Sequence, residues 1–160
     1  MNKRFMLTAA GAAATGIAGS ASAVLVNFTH ELDRWAGEHA WQVHENSVNG
    51  TVVASQYVAG SIYYAGCSIT AFTSYPATSS HWGTVNGNMD LVASTTYLVT
   101  MQDSYGDGWA WGSFVGGLTI GSASGTVSGS SASFSFHVAP APGALALLGL
   151  AGIAGTRRRK

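Results

Sequence analysis

The chain has 160 residues, 47% of them hydrophobic and only 9% charged, and its seven Lys and Arg balance seven Asp and Glu. That length leaves room for one domain with a modest core. The balance hides a segregation: Lys3, Arg4, Arg157, Arg158, Arg159 and Lys160 stand near the two ends, while between Val24 and Thr156 seven acids face Arg34 alone, which argues against nucleic acid as a partner because such a partner needs a basic face.

Residues 1–23 have the three parts of a secretory signal peptide. Lys3 and Arg4 open it, a small apolar stretch runs from Phe5 to Ala18, and Ala21-Ser22-Ala23 offers the cleavage site. Signal peptidase is the expected first partner, and the mature domain is expected to occupy residues 24–138. Val24, Val26 and Phe28 alternate with Leu25, Asn27 and Thr29, predicting an opening strand. Charge and aromatics then concentrate between Glu31 and Trp41. Trp41 and Val43 share one face of a second strand, and Asn49-Gly50 predicts a hairpin into Thr51–Ala54.

Two short β-prone runs follow, Ser61–Tyr64 and Ile69–Thr73, on either side of Gly66-Cys67. Cys67 is the single cysteine, so no internal disulfide can form. Residues 74–88, rich in Ser, Thr, Gly and Asn, read as a long loop or a ragged edge strand. Tyr97, Val99 and Met101 alternate with Leu98, Thr100 and Gln102 and lead into Asp103-Ser104-Tyr105-Gly106-Asp107-Gly108-Trp109. Asp-Gly and Tyr-Gly are turn dipeptides, so this stretch is expected to be a loop at a strand end.

Two readings of that loop are open. Asp103 and Asp107 crowd two carboxylates onto one turn, which a hard cation such as Ca2+ would relieve, with glycines letting backbone carbonyls complete the oxygen shell. The other reading is a solvated acidic turn whose aspartates bond their own backbone. Trp109 and Trp111 would share a face if that segment is extended. With Tyr105 they could form a platform on which sugar rings stack, making an extracellular polysaccharide the alternative partner; burial of at least one Trp in the core competes with this. Leu118 and Ile120 mark a further strand, and Phe134, Phe136 and Val138 alternate along the last one. Short strands between turn signals predict an all-β domain, an antiparallel β-sandwich or jelly roll, with a helix expected in each flanking segment.

Beyond residue 138 come Pro140-Ala141-Pro142, an apolar run from Gly143 to Gly155, and Arg157-Arg158-Arg159-Lys160. The apolar run is short for an unassisted membrane span, and the basic end would stay cytoplasmic. In order of parts this tail, residues 139–160, resembles a PEP-CTERM sorting signal, although Ala141 stands where that family has Glu. The resemblance implies an exosortase-type processing enzyme as partner, transient anchoring by a C-terminal helix, and a destination at the cell envelope or outside. A plain membrane anchor is the competing reading.

The pattern of Asp33, Trp35, Glu38 and Trp41, followed by Asp103–Trp109, resembles small extracellular β-sandwich modules of secreted bacterial proteins, loosely of the CUB type. That resemblance implies that Glu38 joins Asp103 and Asp107 in a three-carboxylate calcium site. No enzymatic activity is expected. His30, His39, His44, His81 and His137 form no zinc motif, no Gly-x-Ser-x-Gly elbow is present, and Asp103 and Asp107 are better placed to share a cation than to flank a sugar bond.

Overall fold

A computed structural model of the protein describes residues 22–140. Residues 1–21 of the predicted signal peptide and 141–160 of the predicted sorting segment, including Ala141, Pro142, Arg157, Arg158 and Arg159, lie outside the described residues, as do the helices expected in those two segments. Within them the chain is all-β and antiparallel. One five-stranded sheet has the order β11-β10-β1-β6-β5 and the other β12-β7-β2-β3-β4, with a small β8-β9 hairpin at one end. The strands are β1 (Ala23–Asp33), β2 (His39–Glu45), β3 (Val52–Val58), β4 (Ile62–Ala65), β5 (Ser68–Ser74), β6 (His81–Val92), β7 (Thr95–Asp103), β8 (Ala110–Trp111), β9 (Phe114–Val115), β10 (Gly117–Ile120), β11 (Ala123–Gly125) and β12 (Ser131–Val138). A single 3-10 turn, Ala36–Glu38, links β1 to β2.

Alternation explains which faces are buried. Phe28, His30 and Leu32 point inward from β1, Trp41 and Val43 from β2, Tyr97, Val99 and Met101 from β7, and Leu118 and Ile120 from β10. All of these but the polar His30 belong to one hydrophobic cluster drawn from both sheets, with Phe28 of one set edge-on against Trp41 of the other at 5.6 Å. The arrangement is consistent with the predicted β-sandwich.

One segment departs from expectation. Much of residues 74–88 is not loop but the first part of β6, a 12-residue strand flanked by β1 and β5. Its turn signals are glycines at inward positions, where they make room for rings from the neighbouring strands. A Cβ on Gly87 would meet the Phe28 ring at 2.5 Å, and one on Gly83 the Phe72 ring at 2.7 Å. Asn86, beside Gly87, accepts a cross-strand hydrogen bond from Thr29 Oγ1 at 2.9 Å. The Asn49-Gly50 signal, by contrast, does mark the β2–β3 connection. There a Cβ on Gly50 would collide with the Glu45 carbonyl oxygen.

Candidate functional site

At one end of the sheets, the β2–β7 register pairs His39 with Asp103. Glu38 directly precedes β2, so it arrives beside the last residue of β7, and the backbone N–H of Ser104 donates to the Glu38 carbonyl at 3.0 Å. Asp103 continues the inward series Tyr97, Val99, Met101 and is only 5% exposed. The acidic loop then turns back. Gly106 and Gly108 both take positive φ, and at Gly108 a side chain would also strike the Val127 carbonyl at 2.7 Å. The turn carries Asp107 over the same spot. One carboxylate oxygen from each of Glu38, Asp103 and Asp107 lies within 4.8 Å of the others.

The Asp103 carboxylate is divided between two environments. Its Oδ1 accepts the backbone N–H groups of Tyr105 and Gly106, which fixes the loop. Its Oδ2 is buried and has no hydrogen-bond partner. Burial and then the Asp103, Asp107 and Asp33 carboxylates raise the Glu38 carboxyl above its ordinary value. Buried acceptors are ordinarily paired, so an orphaned oxygen on a carboxylate that meets two more carboxylates is a donor set that suits a hard cation.

The predicted aromatic platform is only partly present. Tyr105 is 81% exposed and Trp111 43%, but Trp109 is fully buried. Its indole stacks on His39 at 4.2 Å, its Nε1–H donates to the Gln102 carbonyl at 3.1 Å, and its backbone N–H donates to Val127 at 3.0 Å. Trp111, two residues on in β8, is exposed where Trp109 is buried, so the two do not form the shared exposed face expected from sequence. Trp109 is a core residue and takes no part in the exposed ligand-binding platform expected of it. Trp35 takes its place: it is 46% exposed and meets Trp111 edge-on at 5.6 Å. Trp35, Tyr105 and Trp111 wall a cleft of about 300 Å³ into which Glu38 and Asp107 also face. Trp35 stood in the Asp-x-Trp pattern, which was the available signal.

Behind the carboxylates lies a second polar group that composition did not reveal. Asp33, His39, His30 and Tyr64 form a hydrogen-bonded chain across the core. Its links are Asp33 Oδ1 to His39 Nε2 at 3.1 Å, His39 Nδ1 to His30 Nε2 at 3.2 Å, and His30 Nδ1 to Tyr64 Oη at 3.0 Å. Trp41 Nε1, which can only donate, lies 3.4 Å from His30 Nδ1. This assigns Nδ1 as the acceptor, and the remaining tautomers follow: His30 Nε2–H donates to His39, and His39 Nε2–H donates to Asp33. Burial, with His39 as a smaller cause, holds the His30 imidazole well below its ordinary range and therefore neutral.

No family model, curated protein or solved structure matches this chain.

Proposed function

We propose that this chain is an exported, envelope-held β-sandwich module with a structural or binding role rather than a catalytic one, and that a Ca2+ ion held by Glu38, Asp103 and Asp107 stabilises it. The observation that carries the metal reading is the buried, unpartnered Asp103 Oδ2 in a convergence of three carboxylates. Left without a cation, that arrangement keeps like charges together and a buried acceptor unpaired, both of which cost stability. A bound calcium would neutralise most of the charge and take the orphaned oxygen as a ligand. The export reading rests on the signal-peptide pattern of residues 1–23, and envelope retention on the resemblance of residues 139–160 to a PEP-CTERM tail. Removal of residues 1–23 would leave β1 to begin at Val24, one residue into the strand, with its core-facing positions intact.

Thermal unfolding of the full-length protein tests the metal. Extracellular calcium modules work with dissociation constants of ~10⁻⁴ to 10⁻³ M. A free concentration a hundredfold above the constant stabilises the fold by about 2.7 kcal/mol. The melting temperature is expected to rise in calcium and much less in magnesium, which demands near-octahedral geometry and keeps its waters. Asp107→Asn, nearly isosteric and at an exposed position, should remove most of the rise. Equal melting of wild type and Asp107→Asn, in calcium and in chelator alike, would leave a solvated acidic turn. The address is checked by the mass of protein recovered from its own host, which should begin at Val24 and, after sorting, lack Arg157–Lys160.

A further inference from the structure

We propose that the cleft walled by Trp35, Tyr105 and Trp111 binds a neutral sugar ring whose neighbouring hydroxyls complete the coordination of the ion held by Glu38, Asp103 and Asp107; this rests on the calcium reading above. Calcium takes six to eight oxygens. Three carboxylates cannot supply them all, because Asp103 Oδ1 is already engaged by two backbone N–H groups. The vacant directions cannot point into the core, which Trp109 and His39 fill with stacked rings. They face the side where Glu38 and Asp107 open onto the cleft.

The walls suit the other half of a sugar. Trp35 and Trp111 are each about half exposed and pack against one another at 89° rather than into the core. Keeping two indoles half in water and the Tyr105 phenol almost wholly so forgoes the burial that aromatic side chains normally gain, unless a flat apolar surface such as a pyranose face covers them. An organic ammonium ion is the competing occupant of an acidic aromatic cleft. It is too large to reach the buried Asp103 Oδ2 and would leave that oxygen unpaired, whereas a small ion reaches it and also removes most of the negative charge that would attract the ammonium. Ion and sugar thus share one site with different parts of the same wall.

The test uses the full-length protein on an array of neutral and acidic oligosaccharides, in millimolar calcium and in EDTA, with choline as a second probe and thermal unfolding run in parallel. Glycan binding is expected in calcium and lost in EDTA. Trp35→Ala and Trp111→Ala should each weaken it about tenfold, with Trp111→Phe recovering part of the loss, while the calcium-driven rise in melting temperature persists in all three variants. Absence of glycan binding where calcium still raises the melting temperature would overturn the sugar site and leave the metal reading standing. Glycan binding indifferent to EDTA would overturn the bridge through the ion. No response of the melting temperature to calcium would remove the metal reading itself, and choline binding in place of any glycan would make the cleft a cation cage.

Discussion

Two polar clusters lie side by side at one end of this protein, and they are built on opposite terms. In the Asp33–His39–His30–Tyr64 chain every hydrogen has an acceptor, and each link spans from one strand to another. In the Glu38–Asp103–Asp107 cluster there are acceptors only, and one of them is buried with nothing to accept. The first arrangement is complete without a ligand. The second is complete only with a cation, and Asp33, shared as a neighbour, joins them by contributing to the raised Glu38 carboxyl. What separates a polar group that holds a fold from one that holds a ligand is thus the tally of donors against acceptors, not burial, since His39 and Asp103 are both buried.

Breaking the complete cluster should have the largest effect. His39→Ala removes the ring that stacks on Trp109, strands the His30 N–H and leaves the buried Asp33 carboxylate with only the Trp35 backbone N–H, so a loss of about 3 to 5 kcal/mol is expected by denaturant unfolding, with or without calcium. Removing charge from the incomplete cluster should instead change sign with the medium. Asp103→Asn keeps the Oδ1 acceptor for Tyr105 and Gly106 while replacing the orphaned oxygen with a donor. In chelator it should gain stability, on the order of 1 kcal/mol, and in calcium a hundredfold above the dissociation constant it should fall below wild type by about 1.7 kcal/mol, the roughly 2.7 kcal/mol that the ion no longer contributes less that gain.

Much of this was legible in the sequence, and the failures have physical causes. Alternation found β1, β2, β7 and β12, because each buries one face and a period of two is then forced on the residues. Where glycine stands in for a side chain on the inward face, as at Gly83 and Gly87, the same rule is silent: the volume at those positions is supplied by Phe72 and Phe28 from the adjacent strands. The Asp103–Asp107 pair was legible in the loop itself, but the place of Glu38 beside it was legible only through a resemblance, since residues 38 and 103 meet because of a β2–β7 register that no local pattern encodes. Trp109 was misplaced for a similar reason. It lies two residues from Trp111, but the loop that follows β7 seats it in the core ahead of the β8-β9 hairpin, where Trp111 is 43% exposed, so their spacing does not put them in one environment.

Acidity distinguishes the clusters more gently. The folded state holds His30 neutral, so below the ordinary imidazole value of ~6.5 the unfolded chain binds a proton that the native chain refuses, and stability should fall as pH drops, by at most about 1.4 kcal/mol per pH unit. Glu38 acts with the opposite sign. Its folded value is raised, so in chelator its contribution is fully present below the ordinary carboxylate value and is lost as pH rises through the folded one. Calcium requires the ionised form, so the calcium-induced shift should shrink as pH falls toward that same value. Melting curves across mildly acidic pH, with and without chelator, separate the two. The smallest effect belongs to the cleft wall: Trp111→Ala should change stability by no more than about 0.5 kcal/mol, against about 3 to 5 for Trp109→Ala, a contrast that circular dichroism melts would resolve directly.

The β2–β7 pairing that assembles the carboxylates also decides when in folding they can exist. Glu38 and Asp103 are far apart along the chain, and no ion can bridge them until those strands have found their register and the loop has closed over it. If that closure comes after the barrier, a bound cation holds the finished native state without helping to reach it. Calcium would then leave the refolding rate nearly unchanged and slow unfolding by almost the whole of its stabilisation, acting on the lifetime of the fold rather than on its formation.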